Sequence, residues 1–218
     1  MRTVALAGVA PGRVVLDAVA SHHLLNVVRL ARGERVRVTG GGRRGVGVLV
    51  GVRDGLAEIE VGEVVEVAEV ARVVVLGAPK PALLEEALTL GTEAGATEFR
   101  LVRARRSPPG EPRVERLEKV VRAAVTQCGR ASAPGIASGS LAVALEGLPD
   151  GPRWVGVPGA PRPTPSEGAA TVAVGPEGGW DPGEIEALRA AGFRPAGLGP
   201  HVLRTPTAVA VAVALTRG

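Results

Sequence analysis

Two short runs in the C-terminal third combine residue types suited to holding a polar organic ligand. The first is Gly175-Pro176-Glu177-Gly178-Gly179, directly after the apolar stretch Thr171 to Val174 and before a helix-forming segment. Glycines let backbone come close to a ligand and leave N–H groups to donate. Ligands of open α/β sheets sit at the carboxyl ends of strands. Pro176 stiffens the turn and Glu177 sets one carboxylate there. The same residues also suit a plain strand-to-helix turn. They lack the Lys-Ser/Thr of a phosphate loop and are not the dinucleotide glycine fingerprint. The second run is Leu198-Gly199-Pro200-His201-Val202-Leu203-Arg204-Thr205-Pro206-Thr207. It follows a short strand and opens an apolar helix. Arg204 therefore meets an anion, pairs with Glu177, or stands as a solvated charge beside a Gly-Pro turn.

Other chemistry-bearing residues are weaker signals. Thr126-Gln127-Cys128-Gly129-Arg130 ends a long helix, where Gly129 suits the left-handed C′ position and Arg130 favours the negative end of the dipole. That account is sufficient, because no His is visibly paired to activate Cys128 as a nucleophile. His22 and His23 are adjacent and do not share a helix face, so both do not readily hold one metal. One is expected to pack and the other to face solvent. Arg29, Arg32, Arg35 and Arg37, with Arg43 and Arg44 in a glycine-rich loop, cluster early in the chain as an RNA-contact surface or a merely solvated face.

The elements that position these residues fall into two rhythms. Thr3 to Val9 predicts a strand and Ser21 to Leu30 a short helix with Ser21 as its N-cap. Arg35 to Val38, Val46 to Val52 and Ala57 to Val67 alternate or are rich in Val, and Asp54-Gly55 between two of them is a hairpin signal. Residues 1–70 thus read as a small, mostly antiparallel β-barrel. From Arg72 strands and helices alternate. Strands are expected at Val73 to Leu76, Phe99 to Val102, Trp154 to Val157 and Thr171 to Val174. Helices are expected at Pro81 to Ala94, Glu111 to Gln127, Pro182 to Ala190 (capped by Asp181 and closed by Gly192) and Thr207 to Leu215. The alternation makes residues 71–218 an α/β domain with a mostly parallel, doubly covered sheet.

Composition bounds the function classes. The chain has 218 residues, 45% hydrophobic and 22% charged, with a net charge of +4. Lys80 and Lys119 are the only lysines, so the positive charge is nearly all arginine, whose planar fork suits phosphate. A basic domain is a candidate for nucleic acid. The single cysteine excludes an internal disulfide and a multi-cysteine zinc site, and a cytoplasmic protein is expected. No run reaches the roughly 18 apolar residues of a membrane span, and no signal-length apolar segment follows Met1.

In order along the chain, these pieces resemble the ribosomal RNA small-subunit methyltransferase E family of the SPOUT superfamily. The markers are His22-His23-Leu24 with Val28-Arg29, Lys80 opening the helix that leads to Gly91-Thr92-Glu93-Ala94-Gly95-Ala96, and Arg106-Ser107. Gln127-Cys128-Gly129-Arg130 with Pro134, Gly175 to Gly179 and Leu198 to Thr205 complete them; the last two are specific in combination. The resemblance covers nearly the whole chain. It implies a PUA-like RNA-binding barrel over 1–70 and, over 71–218, a SPOUT domain with a deep trefoil knot, a feature otherwise essentially absent from proteins. It implies a homodimer that uses S-adenosyl-L-methionine to methylate N3 of a uridine in 16S rRNA of the 30S subunit, without membrane or metal.

The resemblance also assigns residues. Cofactor contacts fall on Val157, Pro158, Gly175, Pro176, Glu177, Gly178, Gly179, Leu198, Gly199, Leu203, Arg204, Thr205 and Thr207. RNA contacts fall on His22, His23, Arg29, Arg32, Arg35, Arg43 and Arg44. Uridine N3–H is a weak acid and must lose its proton before attack. Arg204, Arg106 and Lys80 are the candidate cations for the anion, and Glu177 is either the base or a residue that holds Arg204 or a loop amide. The family commonly carries Arg and Glu where this chain has His201 and Pro206. That departure leaves a competing reading, a catalytically silent RNA-binding or ribosome-assembly protein. A nucleotide hydrolase is disfavoured, since no phosphate loop or acidic metal cluster occurs.

Overall fold

The computed structural model describes residues 2–217. Contacts divide them into two units: residues 2–68 with 125–132, and the remainder.

In the first unit five strands form one sheet. They are β1 (Thr3–Ala5), β2 (Gly12–Val15), β3 (Arg35–Gly40), β4 (Arg43–Arg53) and β5 (Leu56–Glu66), in the order β1-β3-β4-β5-β2. Only β1 with β3 is parallel. The β4–β5 hairpin turns at Asp54 and Gly55, both at positive φ (51° and 80°), as a two-residue primed turn requires. Register shifts near Gly45 and Leu49 bend β4, so that the sheet wraps a core of Val36, Val38, Leu49 and Ile59.

The first unit departs from the sequence expectation at three places. Strand β1 stops at Ala5, and β2 was not foreseen because Gly-Arg-Val-Val carries too little pattern. Ser21 is not an N-cap. Asp17 caps α1 (Ala18–His22) by accepting from the Ala20 N–H at 2.8 Å, so the helix begins before Ser21. Ser21 is buried; its hydroxyl donates to the Leu16 carbonyl and accepts from the Ala57 N–H. A π-helical turn follows over His23–Val27. Ser21 and Leu24 fill the inner face, so His22 and His23 are both exposed, where one of the two was expected to pack.

The second unit is a six-stranded, wholly parallel sheet. Its strands are β6 (Arg72–Gly77), β7 (Glu98–Val102), β8 (Gly135–Gly139), β9 (Arg153–Gly156), β10 (Ala170–Val174) and β11 (Arg194–Ala196). Their order is β11-β9-β10-β6-β7-β8. β6 and β10 are buried at every position, which explains their continuous apolar runs. Val73, Val75, Val155 and Ala173 pack on one face against α4 (Leu141–Ala144) and α5 (Pro182–Ala190). On the other, α2 (Pro81–Ala94) and α6 (Thr205–Leu215) pack together. Gly91 makes this possible: a Cβ there would lie 2.8 Å from the Phe99 ring and from Val209. Each large apolar side chain buried in these layers contributes roughly 1.5–3 kcal/mol.

Helices α2 and α5 span the predicted residues. α5 carries a full capping box, with Asp181 accepting from Gly183 and Glu184 reaching back to the Asp181 N–H at 2.8 Å. Helix α3 (Val114–Cys128) starts later than Glu111, because Pro112 lies ahead of its first turn. β8 and α4 were not foreseen, since Gly-Ile-Ala-Ser-Gly has no strand periodicity and α4 is a single turn.

Candidate functional site

Because every strand of the second sheet points the same way, all the loops at their carboxyl ends lie along one edge. Register places Gly156 beside Ala196, Val155 beside Ala173, and Val174 beside Leu76. The loops after β9, β10 and β11 enclose a cavity of about 530 Å³. Ligand pockets typically measure about 300–1,000 Å³.

The loop after β10 is shaped by close approaches. The Gly179 N–H donates to the Pro176 carbonyl at 2.8 Å, and Gly179 takes φ +70°. A Cβ on Gly175 would sit 3.0 Å from the Trp180 nitrogen. A Cβ on Gly77, at the end of β6, would come within 2.6 Å of Pro176 Cδ. Only glycines allow backbone this near. The other two loops are stitched to each other: Val157 N–H donates to Ala196 O at 2.9 Å, and Gly197 N–H to Pro161 O at 2.7 Å. Thr205 Oγ1 donates to Gly175 O at 3.4 Å, joining the start of α6 to the β10 loop.

Val157, Pro158, Gly175, Pro176, Glu177, Gly179, Leu198, Gly199, Leu203, Arg204 and Thr205 all line this cavity. Gly178 does not; its carbonyl accepts from Arg106 Nη1 at 2.8 Å. Thr207 faces solvent one turn into α6 and is also outside the lining. Sequence reasoning missed Leu83, Trp180, Ile185 and Ala208, which complete the apolar wall. Leu83 and Ala208 lie in the first turns of α2 and α6, where helical spacing singles out neither. Trp180 is 7% exposed, and its Nε1 donor has no partner among the described residues.

The charges are arranged differently from one expectation. Arg204 does not pair with Glu177. Its Nη2 lies 4.0 Å from Glu86 Oε2 on α2, with both side chains well exposed. An ion pair of that kind contributes about 0–1 kcal/mol, so the guanidinium remains available. Glu177 Oε1 instead accepts from the Lys80 backbone N–H at 3.4 Å. Arg204 is the N-cap of α6 without a side-chain cap bond, and Pro206 fits in the first turn, where its missing N–H costs nothing. Among the described residues no three His, Cys, Asp or Glu side chains group as metal ligands.

In the first unit, Arg35, Arg37 and Arg44 share one face of the β3–β4 sheet, opposite the buried Val36 and Val38. Arg44 Nη2 reaches Gly129 O at 3.5 Å, and its buried Nε has no partner among the described residues. Arg43 points to the opposite face and pairs with Glu66 at 3.1 Å. Arg29, at φ +53°, and Arg32 lie in the exposed loop before β3. Of the six arginines expected to cluster, the sheet register puts Arg35, Arg37 and Arg44 on one face. His22 Nδ1 lies 3.2 Å from Asn26 Nδ2.

Residues 67–217 match the family model of the RNA methyltransferase domain. A Synechocystis protein named ribosomal RNA small subunit methyltransferase E is 31% identical over 217 residues, covering 92% of this chain and 71% of that one. A Mycobacterium bovis protein of the same name is 34% identical over 163 residues, 64% of this chain and 60% of its own length. The crystal structure of a ribosomal RNA small subunit methyltransferase E from Neisseria gonorrhoeae bound to S-adenosyl methionine superposes with a TM-score of 0.84 at 26% identity, covering 98% and 95% of the two chains. A probable rRNA-methyltransferase from Porphyromonas gingivalis gives 0.77 at 26% identity, over 91% and 90%.

Proposed function

From the chain's membership in the RNA methyltransferase family, in its ribosomal RNA small-subunit methyltransferase E group, we propose that it transfers methyl from S-adenosyl-L-methionine to N3 of a uridine in 16S rRNA. The observation that carries this reading is the single cavity shared by the loops after β9, β10 and β11.

The cavity fits that cofactor. It offers apolar walls from Val157, Ile185, Leu198 and Leu203, backbone groups of glycine-rich loops, and one buried indole donor on Trp180 without an acceptor. Bound there, S-adenosyl-L-methionine supplies an already activated methyl, so no metal is required. The residues of the chain bind and orient. The Gly175 to Gly179 backbone and Leu198, Leu203, Thr205 and their neighbours form the cradle. Arg204, at the rim and only loosely engaged by Glu86, holds the negative charge that develops on the uracil ring as N3 gives up its proton to solvent water. Arg106, fixed to the Gly178 carbonyl, braces the cradle and presents a second cation beside it. Lys80 adds a third at the start of α2. Glu177 holds the Lys80 amide and so positions the loop.

The same reading gives the first unit the role of a PUA-like RNA-binding module. Its support is the arginine face of Arg35, Arg37 and Arg44, with Arg29, Arg32, Arg43, His22 and His23 exposed around the sheet. It carries with it the trefoil knot, a homodimer, the 30S subunit as partner and a cytoplasmic setting. No helix among the described residues is long and apolar enough to cross a membrane. Isothermal titration of the chain with S-adenosyl-L-methionine tests the cavity: one site per chain that S-adenosylhomocysteine displaces is expected, and absence of binding overturns it.

A further inference from the structure

We propose that a second cavity, beside the first along the same sheet edge, is a subsite for an unstacked nucleotide neighbouring the one that is methylated. The proposal rests on the RNA-methyltransferase reading above. The cavity measures about 320 Å³ and lies between the start of α2 and the segment that follows β7.

Its walls are rigid and apolar. Pro79, Pro81, Pro108, Pro109 and Pro112 line it together with Leu84 and Leu117. Prolines keep a fixed shape and lose little entropy on contact, so a cavity lined by them suits a rigid, partly apolar group. Arg103, Arg113 and Arg116 stand around it. Two carboxylates share the lining, and each already faces an arginine: Glu85 lies 2.6 Å from Arg116, and Glu111 lies 3.4 Å from Arg103. Arg113 is the surplus charge; it is exposed and engages no carboxylate among the described residues. A proline-lined cavity with a surplus, exposed guanidinium in its lining matches a nucleobase with its phosphate. Single-stranded RNA is recognised in this way, by stacking of splayed bases and by arginine on phosphate.

The position argues for the same strand that enters the methyl-transfer cavity. Of the two strands whose ends carry this slot, β6 lies next to β10 in the sheet and β7 follows on its other side. Strand order reverses between β10 and β6, where α/β sheets place their ligands. Two elements form a shared partition. In the first turns of α2, Pro81 and Leu84 line the slot while Leu83 lines the larger cavity. In the loop after β7, Arg103 and Ser107 line the slot while Arg106 donates to Gly178 on the far side. An RNA strand crossing this partition leaves one base at each cavity. The surplus of positive charge favours RNA over a protein segment as the occupant.

The test is fluorescence anisotropy of labelled hexauridylate on the full chain saturated with S-adenosylhomocysteine, with methylation of 30S subunits assayed in parallel. Arg113→Ala is expected to weaken hexauridylate binding about tenfold and Arg113→Glu more, with the log–log salt slope smaller by about 0.7. Arg189→Ala, an exposed arginine on α5, serves as the charge-matched control and is expected to bind as wild type. The Arg113 variants are also expected to raise KM for 30S subunits while kcat and the affinity for S-adenosyl-L-methionine stay at wild-type values. Wild-type affinity in Arg113→Glu overturns the subsite. So does failure of the wild-type chain to bind hexauridylate while it methylates 30S subunits, which would leave the slot to a protein segment. Loss of the function reading itself shows differently, as absence of methyl transfer by the wild-type chain.

Discussion

The Oε1 of Glu177 accepts the backbone N–H of Lys80 at 3.4 Å, tying the loop after β10 to the first residue before α2. This contact needs an acceptor oxygen and no charge. Glu177→Gln is therefore expected to keep kcat within about threefold of wild type, whereas loss of a general base costs about 10²–10⁴-fold. Glu177→Ala, which removes the acceptor, is expected to lower affinity for S-adenosyl-L-methionine. A hundredfold drop in kcat for the Gln variant would make Glu177 the base.

Arg204 is the N-cap of α6 without a side-chain cap bond, its side chain is 70% exposed, and its ion pair with Glu86 is long, at 4.0 Å. Its replacement removes a largely exposed side chain. Arg204→Ala is expected to leave Tm and cofactor affinity unchanged and to lower kcat by about 10²–10³-fold, the range seen on deleting a donor to a developing anion. Stopped-time transfer assays at saturating cofactor read this directly, and near-normal turnover would remove Arg204 from the chemistry.

Gly77 sits under Pro176. A methyl group there lies 2.6 Å from Pro176 Cδ and 3.2 Å from Trp180 Cη2, so the β10 loop must move. Gly77→Ala is expected to destabilise the fold by about 1–3 kcal/mol. It is also expected to weaken S-adenosyl-L-methionine binding well beyond twofold in calorimetry, although residue 77 lines neither cavity.

Thr205 is buried, and its hydroxyl joins α6 to Gly175 O at 3.4 Å. Thr205→Val keeps the shape and deletes the donor. Urea unfolding is expected to show a loss of about 0.5–1.5 kcal/mol, the usual net value of one such bond.

Local pattern was enough for much of this molecule. The capping residues of α5, the continuous apolar runs of β6 and β10, and the Asp54-Gly55 turn are short-range features, and each falls where the sequence places it. The cavity loops were legible because Gly and Pro are concentrated there. The misses have long-range causes. Ser21 looks like a cap, but its hydroxyl is used by Leu16 and Ala57, the latter distant in sequence. Arg204 and Glu177 lie in facing loops, yet α2 supplies each with another partner, Glu86 and Lys80. Trp180 carries no sequence signal for the cavity; it belongs to the buried core and also lines the cavity, with its Nε1 unpartnered among the described residues. The slot beside α2 has no motif, since prolines from two loops make it.

The central claim is methyl transfer to rRNA from the cavity formed by the loops after β9, β10 and β11. Its most direct test is incubation of the purified chain with methyl-labelled S-adenosyl-L-methionine and undermethylated 30S subunits, followed by digestion of the 16S rRNA to nucleosides and mass spectrometry. The account predicts label in 3-methyluridine, and its loss with Arg204→Ala. Unlabelled rRNA from a chain that still binds both cofactor and RNA would contradict it, and would make the protein a silent member of its family.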